Sequence, residues 1–228
     1  MADSVNENLI AVTERIGSAA RKVGRDPSEV LLVVVTKSVD LKKIKEAAQS
    51  GARVFGENYV QEAKEKIGKV KDKSVTWHFI GHLQKNKVKH ALELFDMFES
   101  VDSLELAEEI NKRAKAPVDI LIQVNIAKEK TKSGVSAEGA VKLARAISNL
   151  KNLNLKGLMC IPPEFDDPEL ARPYFITVRR LAERINKEHI PGITLRELSM
   201  GMSRDFTVAI EEGATIVRVG TAIFGERK

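Results

Sequence analysis

The chain has 228 residues, of which 43% are hydrophobic and 30% charged. That is enough apolar material for one large core or two small ones. The net charge of +5, from 37 basic and 32 acidic residues, is a mild pull on anionic small molecules, and an aromatic share of 5% is poor in the exposed rings that nucleic-acid surfaces need.

One cysteine, Cys160, excludes an internal disulfide framework and fits a reducing compartment. The opening residues, MADSVNENLIAVTERIG, mix acidic with apolar side chains, unlike a signal or transit peptide. No apolar run approaches the ~20 residues that cross a bilayer. The expectation is a cytoplasmic protein with neither a membrane nor a nucleic-acid partner.

In chain order, SVNENLIAVTERIGSAARKVG (4–24) has a serine cap, an amphipathic repeat and a closing glycine, which predicts a helix. LLVVVT (31–36) is short and β-branched, a buried strand, and LKKIKEAAQSG (41–51) a helix stopped by Gly51. RVFGEN (53–58) is a weaker strand and YVQEAKEKIG (59–68) its helix. VTWHFIG (75–81) and KNKVKHALEL (85–94) repeat the pair, as do FDMFESV (95–101) and LELAEEINKRAK (104–115), the latter capped by Ser103. VDILIQVNI (118–126) is a clear strand before the helix SAEGAVKLARAISNL (136–150). LNLKGLMCI (153–161) leads through Pro162 and Pro163 into a long helix over about 168–189. ITLRELSM (193–200), FTVAIEEG (206–213) and TIVRVG (215–220) complete the series as strand, helix and strand.

Apolar strands alternating with helices imply a parallel sheet covered on its outer face. About eight such units fit a closed (β/α)8 TIM barrel preceded by an extra helix, with residues 1–228 forming one domain. An open doubly wound sheet is the alternative, and it would have to hold eight strands without closing.

The barrel changes the meaning of Lys37. Read locally, it is a surface charge after a strand. In a barrel it stands at the C-terminal end of the first strand, where active sites lie. A lysine in a partly dry barrel mouth has its ammonium form disfavoured, so its amine becomes nucleophilic toward aldehydes and ketones.

The far end of the chain supplies a complement. SMGMSRD (199–205) and GTAIFG (220–225) put small residues at the exits of the seventh and eighth strands, where backbone N–H groups receive anions. Ser199, Gly201 and Ser203 on one side, and Gly220 and Thr221 on the other, are the candidate phosphate donors. Arg218 lies inside an apolar strand and needs a partner. It shares a face with Gly220, between the phosphate end and Lys37. An aldehyde at one end, a phosphate at the other and a ring between describe pyridoxal 5′-phosphate.

Seven segments carry a family resemblance: VVVTK (33–37), FGENYVQE (55–62), WHFIGHLQKNK (77–87), VNIAKEKTKSG (124–134), GLMCIPP (157–163), LSMGMSRD (198–205) and IVRVGTAIFG (216–225). In this order they resemble the pyridoxal-phosphate homeostasis proteins, relatives of the barrel domain of alanine racemase. The resemblance implies that Lys37 forms an aldimine with the cofactor and that Ser199, Gly201, Ser203, Gly220 and Thr221 surround its phosphate. It implies that Arg218 faces the pyridine nitrogen and that Asn58 and Met159 line the ring pocket. A guanidinium there disfavours ring protonation and weakens the ring as an electron sink.

Racemisation needs an acid/base group on each face of the substrate α-carbon. Lys37 serves one face; the other has no obvious candidate. In alanine racemase the second base comes from an extra β domain of the partner subunit, and the expectation here is that the short tail after the eighth strand leaves no room for one. Tyr174 reads as packing, Tyr59 as a cap or packing group more than as a group reaching the mouth, Cys160 as an inert core thiol, and His82 equally as a contact to the site or a structural hydrogen-bonder.

The expectation is therefore a carrier of the cofactor in vitamin B6 and amino-acid homeostasis, a monomer or weak dimer with no catalytic residue and no metal. Apoenzymes that need the cofactor are its possible recipients. A low-activity racemase is the alternative; a cofactor-free aldolase using Lys37 and a basic nucleic-acid binder stand further off.

Overall fold

The computed structural model describes residues 4–70, 72–127 and 133–226. Eight parallel strands close in sequence order, the last pairing with the first. They are β1 (Leu31–Val35), β2 (Val54–Glu57), β3 (Thr76–Phe79), β4 (Met97–Val101), β5 (Val118–Val124), β6 (Leu153–Cys160), β7 (Glu197–Ser199) and β8 (Ile216–Val219). The helices are α1 (Val5–Lys22), α2 (Leu41–Gln49), α3 (Val60–Ile67), α4 (Val88–Ala91), α5 (Leu104–Arg113), α6 (Ala137–Ile147), α7 (Arg172–Lys187), α8 (Phe206–Glu211) and α9 (Thr221–Phe224). The expected (β/α)8 barrel with an added N-terminal helix is the observed architecture. Among the described residues, no helix is long and apolar enough to cross a membrane.

Two apolar layers result from the two faces of each strand. Odd-numbered Val33 and Met97 and even-numbered Val54 point inward, where they pack with Leu121, Met159 and Ile216. Their sequence neighbours Val34, Phe55 and Phe98 point outward into the larger core beneath the helices. A strand buried on both faces therefore reads as continuously hydrophobic, as LLVVV does.

The extra helix has a structural task. Helix α9 is a single turn, too short to cover β8 and β1, and α1 packs beside it and beside α8 and α2. Ser4 and Glu7 form a reciprocal capping box that starts α1. Asn8 donates to the Ile223 carbonyl at 3.0 Å, and Arg25 donates to the Ile210 and Ala214 carbonyls at the end of α8.

Several elements are shorter than predicted, and three of them are reshaped. Strand β7 has only three residues because Asn186 takes both backbone groups of Leu195, accepting from its N–H at 2.8 Å and donating to its carbonyl at 2.9 Å. The 168–189 helix opens as a 3₁₀ turn, Pro168–Ala171, before α7. Pro173, lacking an N–H, is tolerated only in the first turn of an α-helix. The 85–94 helix shrinks to a 3₁₀ turn, Lys85–Lys87, followed by the single turn α4.

A bulge in β4 matters for the interior. Phe98 pairs with Ile120 and Val101 with Ile122, so three steps on β4 match two on β5. The extra residue lets Glu99 stay inside the barrel while the Ser100 hydroxyl donates across to the Gly81 carbonyl at 2.5 Å.

Candidate cofactor site

A cavity of about 360 Å³ opens at the C-terminal ends of the strands, within the usual size of small-molecule sites. Lys37, Asn58, Arg218 and Gly220 reach it because each lies at an inward parity position on its strand or just past the strand's end. Ser203 and Thr221 reach it from the loop after β7 and the start of α9. Ile80, Ile161 and Phe165 add apolar wall, and Tyr174 packs its ring on the far side of Phe165 at 5.8 Å.

Arg218 is 4% exposed and held at several points. Its guanidinium donates to the Cys160 carbonyl at 2.8 Å and to the Ser199 hydroxyl. Ser199 in turn donates to Glu99 Oε2 at 2.5 Å, and that same oxygen lies 3.9 Å from the Arg218 guanidinium. The other oxygen, Oε1, is 2.6 Å from His78 Nδ1. Burial alone would raise the Glu99 carboxyl, but the His78 hydrogen bond and charge, with Arg218 and Ser199, outweigh it and hold it below the ordinary range. A chain from His78 through Glu99 and Ser199 thus aims a compensated guanidinium at the cavity floor.

The loops after β7 and β8 present donors. Gly220 and Ala222 each point a backbone N–H toward the Ser203 hydroxyl, at 3.4 and 3.3 Å. These are long contacts, weaker than the 2.7–3.2 Å that an N–H makes with a good acceptor. Asp205, buried beside them, accepts from the Met202 N–H at 2.6 Å and closes the 202–205 turn. Asn58 Oδ1 is a buried acceptor without a hydrogen-bond partner among the described residues, and the Asn58 backbone sits so close to Gly81 that a Cβ there would meet its carbonyl oxygen at 2.2 Å.

Six of the nine predicted residues, Lys37, Asn58, Ser203, Arg218, Gly220 and Thr221, share this cavity. The other three stand behind it. Ser199 is fully buried, with its hydroxyl already committed to Glu99 and Arg218, so it positions the guanidinium rather than lining the wall. Met159 is fully buried in the inner apolar layer beneath the site. Gly201 accepts from the Arg218 N–H at 3.0 Å and has a φ of 94°. A Cβ there would come within 2.6 Å of the Ala209 methyl, so close packing on α8 accounts for this glycine.

The remaining candidates separate clearly. His82 is exposed and lies 3.5 Å from Asp102, beside a neighbouring cavity. Tyr59 precedes α3 without a capping bond and is 61% exposed, which corrects its expected capping or packing role. Burial pushes the Cys160 thiol up to about 12, against the pull of Arg218. Iodoacetamide is therefore expected to leave Cys160 unmodified in the folded protein near pH 8 and to alkylate it in denaturant; rapid native labelling, followed by mass spectrometry, would contradict this.

Sequence reading missed Glu99 and His78. Their signal was available: each is a polar residue inside an apolar strand, as Arg218 is. What could not be read was that strands so far apart in sequence bring the three together.

The alanine racemase N-terminal domain family matches residues 8–228. A pyridoxal phosphate homeostasis protein of Aquifex aeolicus is 45% identical, the match covering 97% of this chain and 98% of that protein. The chain belongs to this family. An Escherichia coli K12 pyridoxal phosphate homeostasis protein is 41% identical across 99% of this chain and 97% of its own.

Among solved structures, PipY of Synechococcus elongatus, described with PLP bound, is 36% identical with a TM-score of 0.81 over 94% of this chain and all of that one. A Clostridium difficile alanine racemase shares the fold, with a TM-score of 0.74 at 14% identity; the match covers 99% of this homeostasis-family chain and 57% of the racemase.

Proposed function

We propose that this chain binds pyridoxal 5′-phosphate in the barrel-mouth cavity and holds it for intracellular cofactor homeostasis rather than for rapid turnover. The observation that carries the reading is the convergence on one cavity of an amine, a compensated guanidinium and two donor loops. The donor set suits a phosphorylated aldehyde, and the Asn58 oxygen, which has no donor among the described residues, would accept from a ligand. Bound there, the cofactor supplies an electrophilic aldehyde carbon and an electron-withdrawing ring.

The residues divide the work. Lys37 would hold the aldehyde end through its amine. Ser203, Gly220 and Thr221 would hold the phosphate, and Asn58 would border the ring. Arg218 would face the ring nitrogen, where its positive charge would disfavour protonation. Met159, Ser199 and Gly201 support this wall from beneath. A ring kept unprotonated favours retention over carbanion chemistry on a bound amino acid. Apoenzymes that need the cofactor are the recipients this reading expects.

The test is incubation of the cofactor-loaded protein with L-alanine, with chiral chromatography for the D form. No accumulation beyond a trace is expected. Turnover near the ~10 per second of ordinary enzymes would overturn the carrier reading.

A further inference from the structure

On the outer side of β1 and β2, directly behind Lys37, lies a buried ionic cluster. Val60, Ala63 and Lys66 of α3 share the buried face at a spacing of three, so Lys66 enters the core beneath its own helix. Its ammonium makes three contacts: Glu57 Oε1 at 2.7 Å, Glu62 Oε1 at 2.7 Å and the Thr36 carbonyl at 2.5 Å. An ammonium has three protons, so every one is used. Glu57 is wholly buried, and its Oε1 also accepts from the Thr36 hydroxyl at 2.7 Å.

Both neighbours of Lys37 are tied to this cluster. Thr36 is bound through its carbonyl and its hydroxyl. The Ser38 N–H donates to Glu62 Oε1 at 2.6 Å. Ser38 has a φ of 56°, a left-handed conformation that a serine adopts only when its surroundings impose it. The backbone is thereby turned out of the strand at the residue after Lys37, which sets where that side chain leaves the barrel wall.

Stability alone is a poor reason for such a cluster. Burying charges is costly, and well-packed apolar residues often serve as well or better. Glu57 Oε2 is buried without a hydrogen-bond partner among the described residues, and burial pushes this carboxyl up despite Lys66 and Thr36. What the ions supply, and apolar side chains cannot, is directional hold on a carbonyl and an amide on either side of one residue.

We infer that Lys66, Glu57 and Glu62 are positioning residues that fix the Thr36–Ser38 backbone and thereby aim the Lys37 amine at its aldehyde. The inference rests on the binding reading above for the identity of that aldehyde, but not for the geometry.

The test uses the full chain with pyridoxal 5′-phosphate as probe. Lys66→Met strands a buried carboxylate and risks misfolding. Glu57→Gln with Lys66→Met removes both buried charges together and retains an acceptor for Thr36, so it is expected to melt cooperatively with an unchanged circular dichroism spectrum. In that double variant, Ser38 amide exchange in the cofactor-free protein is expected to rise about tenfold or more. Capture of the cofactor at Lys37, followed by absorbance, is expected to slow by about tenfold or more, as a misaimed reacting group does.

A folded double variant that captures cofactor at the parental rate overturns the positioning role, whatever Ser38 does. If the parental chain captures no cofactor at all, the binding reading fails separately. Ser38 exchange then decides alone, and an unchanged rate overturns the inference.

Discussion

Lys37→Ala is expected to abolish retention of pyridoxal 5′-phosphate through gel filtration and to remove the visible absorbance of the loaded protein. Lys37 supplies the one bond to the cofactor that is covalent in the proposed function; the donor loops and Arg218 make only reversible contacts. Affinity is expected to fall at least about a hundredfold, which corresponds to about 2.8 kcal/mol. Lys37→Arg separates charge from nucleophilicity, because a guanidinium stays protonated and does not condense with an aldehyde. It should lose the band as completely as the alanine variant. Circular dichroism confirms folding in each case. A folded Lys37→Ala protein that keeps its colour would remove Lys37 from the site.

Glu99→Ala is expected to destabilise the fold by about 3–5 kcal/mol, the usual cost of breaking a buried ionic network by deleting one member. Glu99 is wholly buried, and Arg218 would keep its charge in the barrel after losing the carboxylate that lies 3.9 Å from it. Glu99→Gln keeps the shape and loses the charge, and should cost less.

The pH dependence has a definite sign. The folded carboxyl lies below its ordinary value of 4.5, through His78, Arg218 and Ser199 acting against burial. Its contribution is therefore whole above about pH 4.5 and is lost as the pH falls through the lowered folded value. Urea titrations of the parental chain and Glu99→Gln should differ by a constant amount at neutral pH and converge in acid. Parallel curves down to pH 3 would show that Glu99 is not held ionised.

Much of this architecture was legible in the residues. LLVVV is apolar at every position because a barrel strand is buried on both faces, and Ser4, Ser103 and Ser136 each announce a helix by accepting from its first-turn N–H groups. The alternation of such strands with capped helices predicts the closed parallel sheet. Local backbone competition was not legible. Asn186 shortens β7 by capturing Leu195, and nothing in ITLRELSM announces a side chain from the preceding helix.

For the site, the order of residues alone announces the chemistry available: a lysine at a strand exit, small residues at two later exits and an arginine trapped in an apolar strand. Which atoms face the cavity, and which hold the others in place, emerges once the barrel has closed. Ser199 and Thr221 look equally exposed to a ligand in the sequence, yet one is sealed between Glu99 and Arg218 and the other lines the opening. Lys66 reads as helix surface, yet its ammonium binds the backbone beside Lys37. The reason is physical. Parity along a strand assigns a face, but hydrogen-bond partners are set by closure of the barrel, which brings β3, β4, β7 and β8 around one interior across 100 or more residues.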